Sequence, residues 1–311
     1  MMKKIFNFIV ILISIFVFLE LFFMRKIIYT SIMYALNIWV NNLIPSLFPF
    51  FIISDILINY NITAFIPKII KKICKYIFNI SDNMLLVFML SMFSGFPTNA
   101  RTTRTLYDKG VMTLDEANHI LIFSHFANPA FILTTIAIYF FNNQKLGIVL
   151  LIIHYLSNLI LGFCFRFFFQ YKDNPINKQV IPTSFGNIFI NAIKNAIDTV
   201  ITICGVIVVF MLLSSIIINS FKFNSYTEMI IKGLFEITIG IEELSKLSLN
   251  STYKLIISSM FLAFGGISVH IQVLSQIVGT KIKYSYFFIG RMYQMIISFI
   301  LSYIICLFFK I

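Results

Sequence analysis

Charge is what this sequence lacks most. Only 12% of its 311 residues are Asp, Glu, Lys or Arg, against about 25% in an ordinary soluble domain. With 59% hydrophobic residues and a mean hydropathy of +0.93, this scarcity excludes a disordered chain and a compact water-soluble enzyme alike. Cysteine is also scarce. Cys74, Cys164, Cys204 and Cys306 are far apart and three lie inside apolar runs, so no disulfide framework is expected and small core thiols are. There is no H-x-x-x-H pair, C-x-x-C, Walker loop, G-x-S-x-G elbow or intramembrane-protease signature. An enzyme reading, a metal site and a cofactor therefore have no residues to support them. Acids number 12 against 24 bases. The bases sit in short loops between apolar runs, which marks cytoplasmic loops and not a nucleic-acid partner. The single tryptophan, Trp39, reads at most as an interfacial anchor. Richness in Ile, Phe, Asn, Lys and Tyr points to an AT-rich bacterial genome, so one Phe or Asn carries little weight by itself.

What is present is a series of long apolar runs. The run Ile5–Phe23 behind Lys3 and Lys4 has the roughly 20 residues a helix needs to cross a bilayer. It is too long for a signal-peptide core, so residues 1–27 read as an uncleaved anchor span. Residues 28–59 exceed one straight crossing and are interrupted by Pro45 and Pro49 in NLIPSLFPFFIISDIL, which frees backbone groups inside the span. In residues 67–78, Lys68, Lys71, Lys72 and Lys75 form one stripe opposite Ile69, Ile70, Ile73 and Ile77. That spacing predicts an amphipathic helix on the anionic cytoplasmic leaflet, with Lys3 and Lys4 on the same side.

An apolar half-span over 84–97 ends at SGFP, and a polar helix follows over 98–109. Thr113-x-x-Glu116 predicts a capping box that starts the next helix, which breaks at Asn128-Pro129 before a span at about 146–169. The polar stretch 170–186 divides the chain into a first unit, 28–169, and a second, 187–311. In the second unit, 228–248 is too short and too charged for a plain crossing and suits a re-entrant hairpin. Residues 253–278 break at Gly265-Gly266, and 284–309 carries Arg291. The fold class expected is an all-α polytopic membrane protein with about eight or more spans, broken helices and re-entrant hairpins.

A weak internal repeat relates the two units: MFSGFPTNART (92–102) aligns with AFGGISVHIQV (263–273). Paired Gly/Pro-interrupted segments in two halves mark a transporter binding site. Pro97 can open a half-helix after Gly95, Asn128 can cap one beginning at Pro129, and Ser268 can cap one after Gly266. Such N-terminal ends carry free N–H groups and partial positive charge, the setting for carboxylate or phosphate. The candidate solute-binding residues are therefore Gly95, Pro97, Asn99, Arg101, Asn128, Gly266, Ser268, His270 and Gln272, converging on one cavity. Arg104 has two readings, a ligand or an i, i+4 partner of Asp108. Asp55, Asp198, Glu236 and Glu20 are acids at depth. Glu236, with Thr238, can bind Na⁺ or carry a proton for coupling; alternatively it neutralises Arg291. His119 and His154 read as packed or interfacial residues.

NLIPSLFPFFIISDIL, SGFPTNA, the Asn-Pro break in FSHFANPAFI, LFEITIG and AFGGISVHIQVLS with a downstream Arg291 resemble the YlbJ-type sporulation integral membrane proteins. Those are part of the larger group with nucleoside-recognition (Gate) domains, related in fold to concentrative nucleoside transporters. The resemblance implies two Gate-type repeats and a permease or secondary transporter loading the spore with dipicolinate. It places the protein, multi-pass, in the mother-cell or outer forespore membrane. Two departures stand out: Asn99 and Arg101 replace small residues and a lysine, and Ile239 replaces a polar Asn. Arginine at the break suits a small anion. A nucleoside would use Asn, Gln and Glu with aromatic packing. A nucleoside-like solute and a non-transporting sporulation scaffold stay open as alternatives, as do coupling ion, direction and oligomeric state.

Overall fold

The computed structural model describes residues 2–169 and 184–308. Most of the linker read at 170–186, namely 170–183, lies outside the described residues. Among them all regular structure is helical. Apolar side chains cover the outside as well as fill three core clusters, and polar groups are buried among them. Ile13, Phe18, Phe22, Ile296, Phe299 and Ile304 are exposed, while Asn99, Arg101, His125, Asn158, Arg291 and Gln294 are buried. Exposed apolar surface of this extent is a liability in water and the expected covering toward lipid.

Helix α1 (Met2–Phe23) leads into α2 (Arg25–Ile38), a π turn (Trp39–Leu43) and α3 (Ile44–Asn59). Pro45 and Pro49 remove ladder donors there, and the chain bends by 50° between Arg25–Leu43 and Leu47–Asn59. Helix α4 (Lys68–Phe78) carries the lysine stripe and stands at 91° to α5 (Asp82–Ser94). A right angle to a crossing helix is the orientation of a helix lying in the bilayer plane, with Ile69, Ile73 and Tyr76 exposed. Helix α5 starts at a Ser81 cap and stops at Gly95, whose φ of +83° only glycine adopts without strain. Helix α6 (Thr98–Asp108) follows. Pro97 is its N-cap and not its first helical residue. The Thr113–Glu116 capping box starts α7 (Leu114–Phe123) as read from the sequence.

Residues 124–128 have no regular structure, and Asn128 then caps the helix that begins at Pro129, its Oδ1 accepting from the Ala130 N–H at 2.8 Å. That helix is π-wound over Phe131–Phe140 and precedes α8 (Gln144–Phe165). Helix α9 (Phe185–Phe221) runs for 37 residues and packs along α2 and α3. The stretch expected to form a hairpin does so: α10 (Ser225–Phe235) and α11 (Ile237–Lys246) meet at Glu236, which is extended. They approach so closely that a Cβ on Gly240 would lie 2.1 Å from the Gly233 Cα.

Helix α12 (Ser251–Phe264) and α13 (Gly266–Ile277) meet at Gly265, and α14 (Tyr284–Phe308) closes the chain. This break is tighter than the sequence suggests. Gly265 and Gly266 both hold positive φ, +89° and +71°, and α13 runs from Gly266, so Ser268 sits in its first turn instead of capping it. Among the described residues, four helices are long and apolar enough to cross a membrane, or up to six if each bent pair is one span. The expected eight is reached only by adding the shorter apolar helices Val10–Phe23 and Phe131–Phe140.

Candidate functional site

Three helix breaks meet at one cavity in the middle of the molecule. Gly95 and Phe96 from the α5–α6 break, Asn128, and Glu236 with Thr238 line it, joined by Gln272 of α13. Leu43, Leu47, Phe131, Ile203 and Ile207 complete the wall. Its volume is about 30 Å³, room for one or two waters. Helices α6 and α11 and the one capped by Asn128 begin at or beside it, bringing partial positive charge to its edge, and α5 and α10 end there, at Gly95 and Glu236. The Glu236 carboxylate, 4% exposed, answers that field. It accepts from the Thr238 N–H at 2.6 Å, the Thr238 hydroxyl at 3.2 Å and the Ile239 N–H at 3.4 Å.

A second, wider cavity of about 340 Å³ opens beside the first and is polar. Arg101, Arg104, Asn195, Thr199, Thr202 and Gln276 line it, with Asp108 and Asp198. The two cavities lie in series along the same helices. On α9, Ile203 faces the core cavity and Thr199 and Thr202 the polar one; on α13, Gln272 faces the core and Ser275 and Gln276 the polar one. Each step is about one helical turn, roughly 5.4 Å.

Arg101 is 5% exposed at the floor of this vestibule. It donates to Asp55 Oδ2 at 2.7 Å and to the Phe51 carbonyl at 3.2 Å, and lies 4.9 Å above the Phe51 ring. Asn195 donates to the same Asp55 oxygen at 3.2 Å. A buried ion pair balances desolvation only with such extra hydrogen bonds. Arg104 pairs with Asp108 and also caps the end of α13, donating to the Gln276 carbonyl at 3.1 Å and the Val278 carbonyl at 2.7 Å.

The sequence-predicted set thus divides. Gly95, Asn128, Gln272, Glu236 and Thr238 line the core cavity, while Arg101 lines the vestibule. Asn99 is buried with neither side-chain polar atom hydrogen-bonded, and the buried Ser268 hydroxyl is likewise unpartnered. Gly266 packs against the hairpin break, 3.3 Å separating its would-be Cβ from the Phe235 carbonyl. His270 turns away from both cavities. Its ring nitrogens meet the Tyr284 hydroxyl at 2.6 Å and the Phe264 carbonyl at 3.1 Å, because the earlier start of α13 rotates position 270 toward α14.

The alternative reading of Glu236, a pair with Arg291, is not what forms. Arg291, fully buried, donates to the carbonyls of Ile122 at 2.8 Å and Ala263 at 3.4 Å, and to Gln294. Those carbonyls end α7 and α12, whose negative ends stabilise the guanidinium without a carboxylate. Asp198 is exposed on the vestibule and not at depth. Trp39 donates to the Val200 carbonyl at 2.8 Å, tying the π turn to α9. The sequence reading marked Asp55 as an acid at depth but not as the partner of Arg101, and it passed over Asn195. The available signal was Asp55 itself, the single charge in α3.

Residues 40–143 match the family described as nucleoside recognition, Gate. That stretch holds the π turn, α3 and the first two breaks. The chain is also 28% identical over 297 residues to the sporulation integral membrane protein YlbJ of Bacillus subtilis (strain 168), covering 84% of this chain and 73% of the relative. The resemblance carried by the motifs is shown. No solved structure matches the chain. This is a helical membrane protein whose residues 40–143 match the Gate family model and whose chain is similar to YlbJ.

Proposed function

We propose that the protein is a membrane permease for a small anionic solute, and that dipicolinate is that solute. The observation that carries this reading is the serial arrangement of the two cavities along α6, α9 and α13. The outer one offers Arg101 beside hydroxyl and amide groups, and the inner one has half-helix N-termini around it. A guanidinium binds a carboxylate through two parallel hydrogen bonds, and a planar dicarboxylate presents such a group at each end. The relative's name places it in sporulation, which supports a mother-cell or outer forespore membrane location. No ATP-binding motif occurs in the sequence, so a gradient or trapping beyond the membrane drives movement, and the protein catalyses no reaction. Glu236 with Thr238 is the group we assign to coupling with H⁺ or Na⁺. The remaining partner is the anionic cytoplasmic leaflet beneath the α4 lysines.

A second reading rests on the core cavity itself. Asn128, Gln272, Glu236 and the Phe131 ring are a set suited to a neutral nucleoside, which agrees with the family's description. Uptake by purified protein in liposomes, with dipicolinate and nucleosides offered in parallel, separates the two. Uptake of neither at normal incorporation favours a scaffold.

A further inference from the structure

The core cavity, at about 30 Å³, is too small for any planar dicarboxylate, so one of its walls has to move for a solute to pass. The wall built to move is α3. Leu47 in its first turn, and Leu43 at the end of the π turn that leads into it, line the core cavity. They flank the 50° bend, where the π turn and Pro45 leave the backbone ladder incomplete. One and two turns beyond Leu47, Phe51 and Asp55 are clamped by Arg101 of α6, through the carboxylate at 2.7 Å and the carbonyl at 3.2 Å. The same guanidinium lines the polar vestibule. Arg101 therefore touches both the arriving solute's route and the helix that closes the inner cavity.

We propose that Arg101 is an anion-operated latch. A carboxylate entering the vestibule replaces Asp55 on the Arg101 guanidinium, which frees α3 and lets Leu43 and Leu47 withdraw from the core cavity. The exchange is like for like: one carboxylate leaves the guanidinium and another takes its place, so the buried cation is never bare. Asp55 keeps the Asn195 amide, already 3.2 Å from its Oδ2, and so is not stranded without a donor. A neutral solute cannot make this exchange, so the latch selects for anions before the inner cavity opens. The inference rests on the permease reading above.

The test is the reactivity of one introduced thiol at the moving wall. The full-length chain, with Cys74, Cys164, Cys204 and Cys306 changed to Ser and with Leu47→Cys, is placed in liposomes. Modification by a small methanethiosulfonate is timed with and without dipicolinate, and dipicolinate uptake is measured in the same vesicles. The latch predicts slow modification at rest, at least tenfold faster modification with dipicolinate, and no acceleration by a nucleoside. Adding Asp55→Asn should give fast modification without any solute, whereas Asp55→Glu should keep it slow. Should Asp55→Asn fail to insert, the neutral pair Asp55→Asn with Arg101→Gln serves instead and should also be fast. Slow modification in the unlatched variants overturns the latch even where uptake is normal. Fast modification in those variants, with no uptake and no response to dipicolinate, overturns the anion-permease reading and with it the exchange step, while the Arg101–Asp55 clamp stands.

Discussion

Gly95 and Asn128 hold two helix breaks in backbone contact: a Cβ added to Gly95 would lie 2.8 Å from the Asn128 amide nitrogen. The first break can face the second only because position 95 has no side chain. Its φ of +83° adds a second reason, since residues other than glycine are strained there by roughly 1–3 kcal/mol. Gly95→Ala should therefore cost about that much in stability and reduce transport at least tenfold. Gly205→Ala, inside α9 with nothing within 4 Å of its Cβ, is the control and should leave transport unchanged while raising stability by about 0.5–1 kcal/mol. Thermal unfolding in detergent and uptake in liposomes measure the two effects. A scaffold would show the stability cost of Gly95→Ala but have no transport to lose.

The two arginines of the vestibule should differ. Arg101→Gln should lower anion uptake by at least tenfold, equivalent to about 1.4 kcal/mol, because the variant loses the carboxylate-binding fork. Arg104→Gln should lower it less, since Asp108 and the carbonyls of Gln276 and Val278 already occupy that guanidinium. Uptake per inserted molecule, compared between the two variants, decides the order.

Glu236 combines a structural role with one of charge, and two substitutions separate them. Glu236→Gln keeps an oxygen that accepts from Thr238 and should unfold within about 0.5 kcal/mol of the parent, by analogy with exchange among good capping residues. Glu236→Ala removes the cap of α11 and should cost about 1–2 kcal/mol. If Glu236 couples transport to an ion, Glu236→Gln should also abolish the response of uptake to an imposed H⁺ or Na⁺ gradient. A stable variant that keeps that response would clear Glu236 of coupling.

Arg291 should prove structural. Arg291→Lys offers one compact ammonium where a planar fork now reaches the carbonyls of Ile122 and Ala263, so at least one buried acceptor is left unmet, at about 1–3 kcal/mol. Unfolding of the variant in detergent should reflect that loss. An unchanged midpoint would show that the fork is dispensable.

Two breaks and one helix start were legible in the sequence because each is written in residues with one conformational meaning: Gly95 before Phe96-Pro97, Asn128 before Pro129, and Thr113 three residues before Glu116. The hairpin at Glu236 was legible from its length and charge. What could not be read is pairing across the chain. Asp55 meets Arg101 over 46 positions, and α3 carries no pattern that names its partner. Arg291 is answered by helix-end carbonyls, which leave no mark in a sequence at all. The repeat alignment misplaced Ser268 and His270 because α13 starts directly at the Gly265-Gly266 break, which puts Ser268 inside the first turn and not at the cap.

The account's central claim is that a small dicarboxylate crosses by way of Arg101, and its most direct measurement is saturable dipicolinate uptake in liposomes. The parent protein, Arg101→Gln and Gly95→Ala are compared at equal incorporation, with a nucleoside offered beside dipicolinate. The account predicts saturable dipicolinate uptake by the parent, at least a tenfold loss in both variants, and no nucleoside uptake. Nucleoside uptake without dipicolinate uptake, or dipicolinate uptake at parental rates in Arg101→Gln, would contradict it.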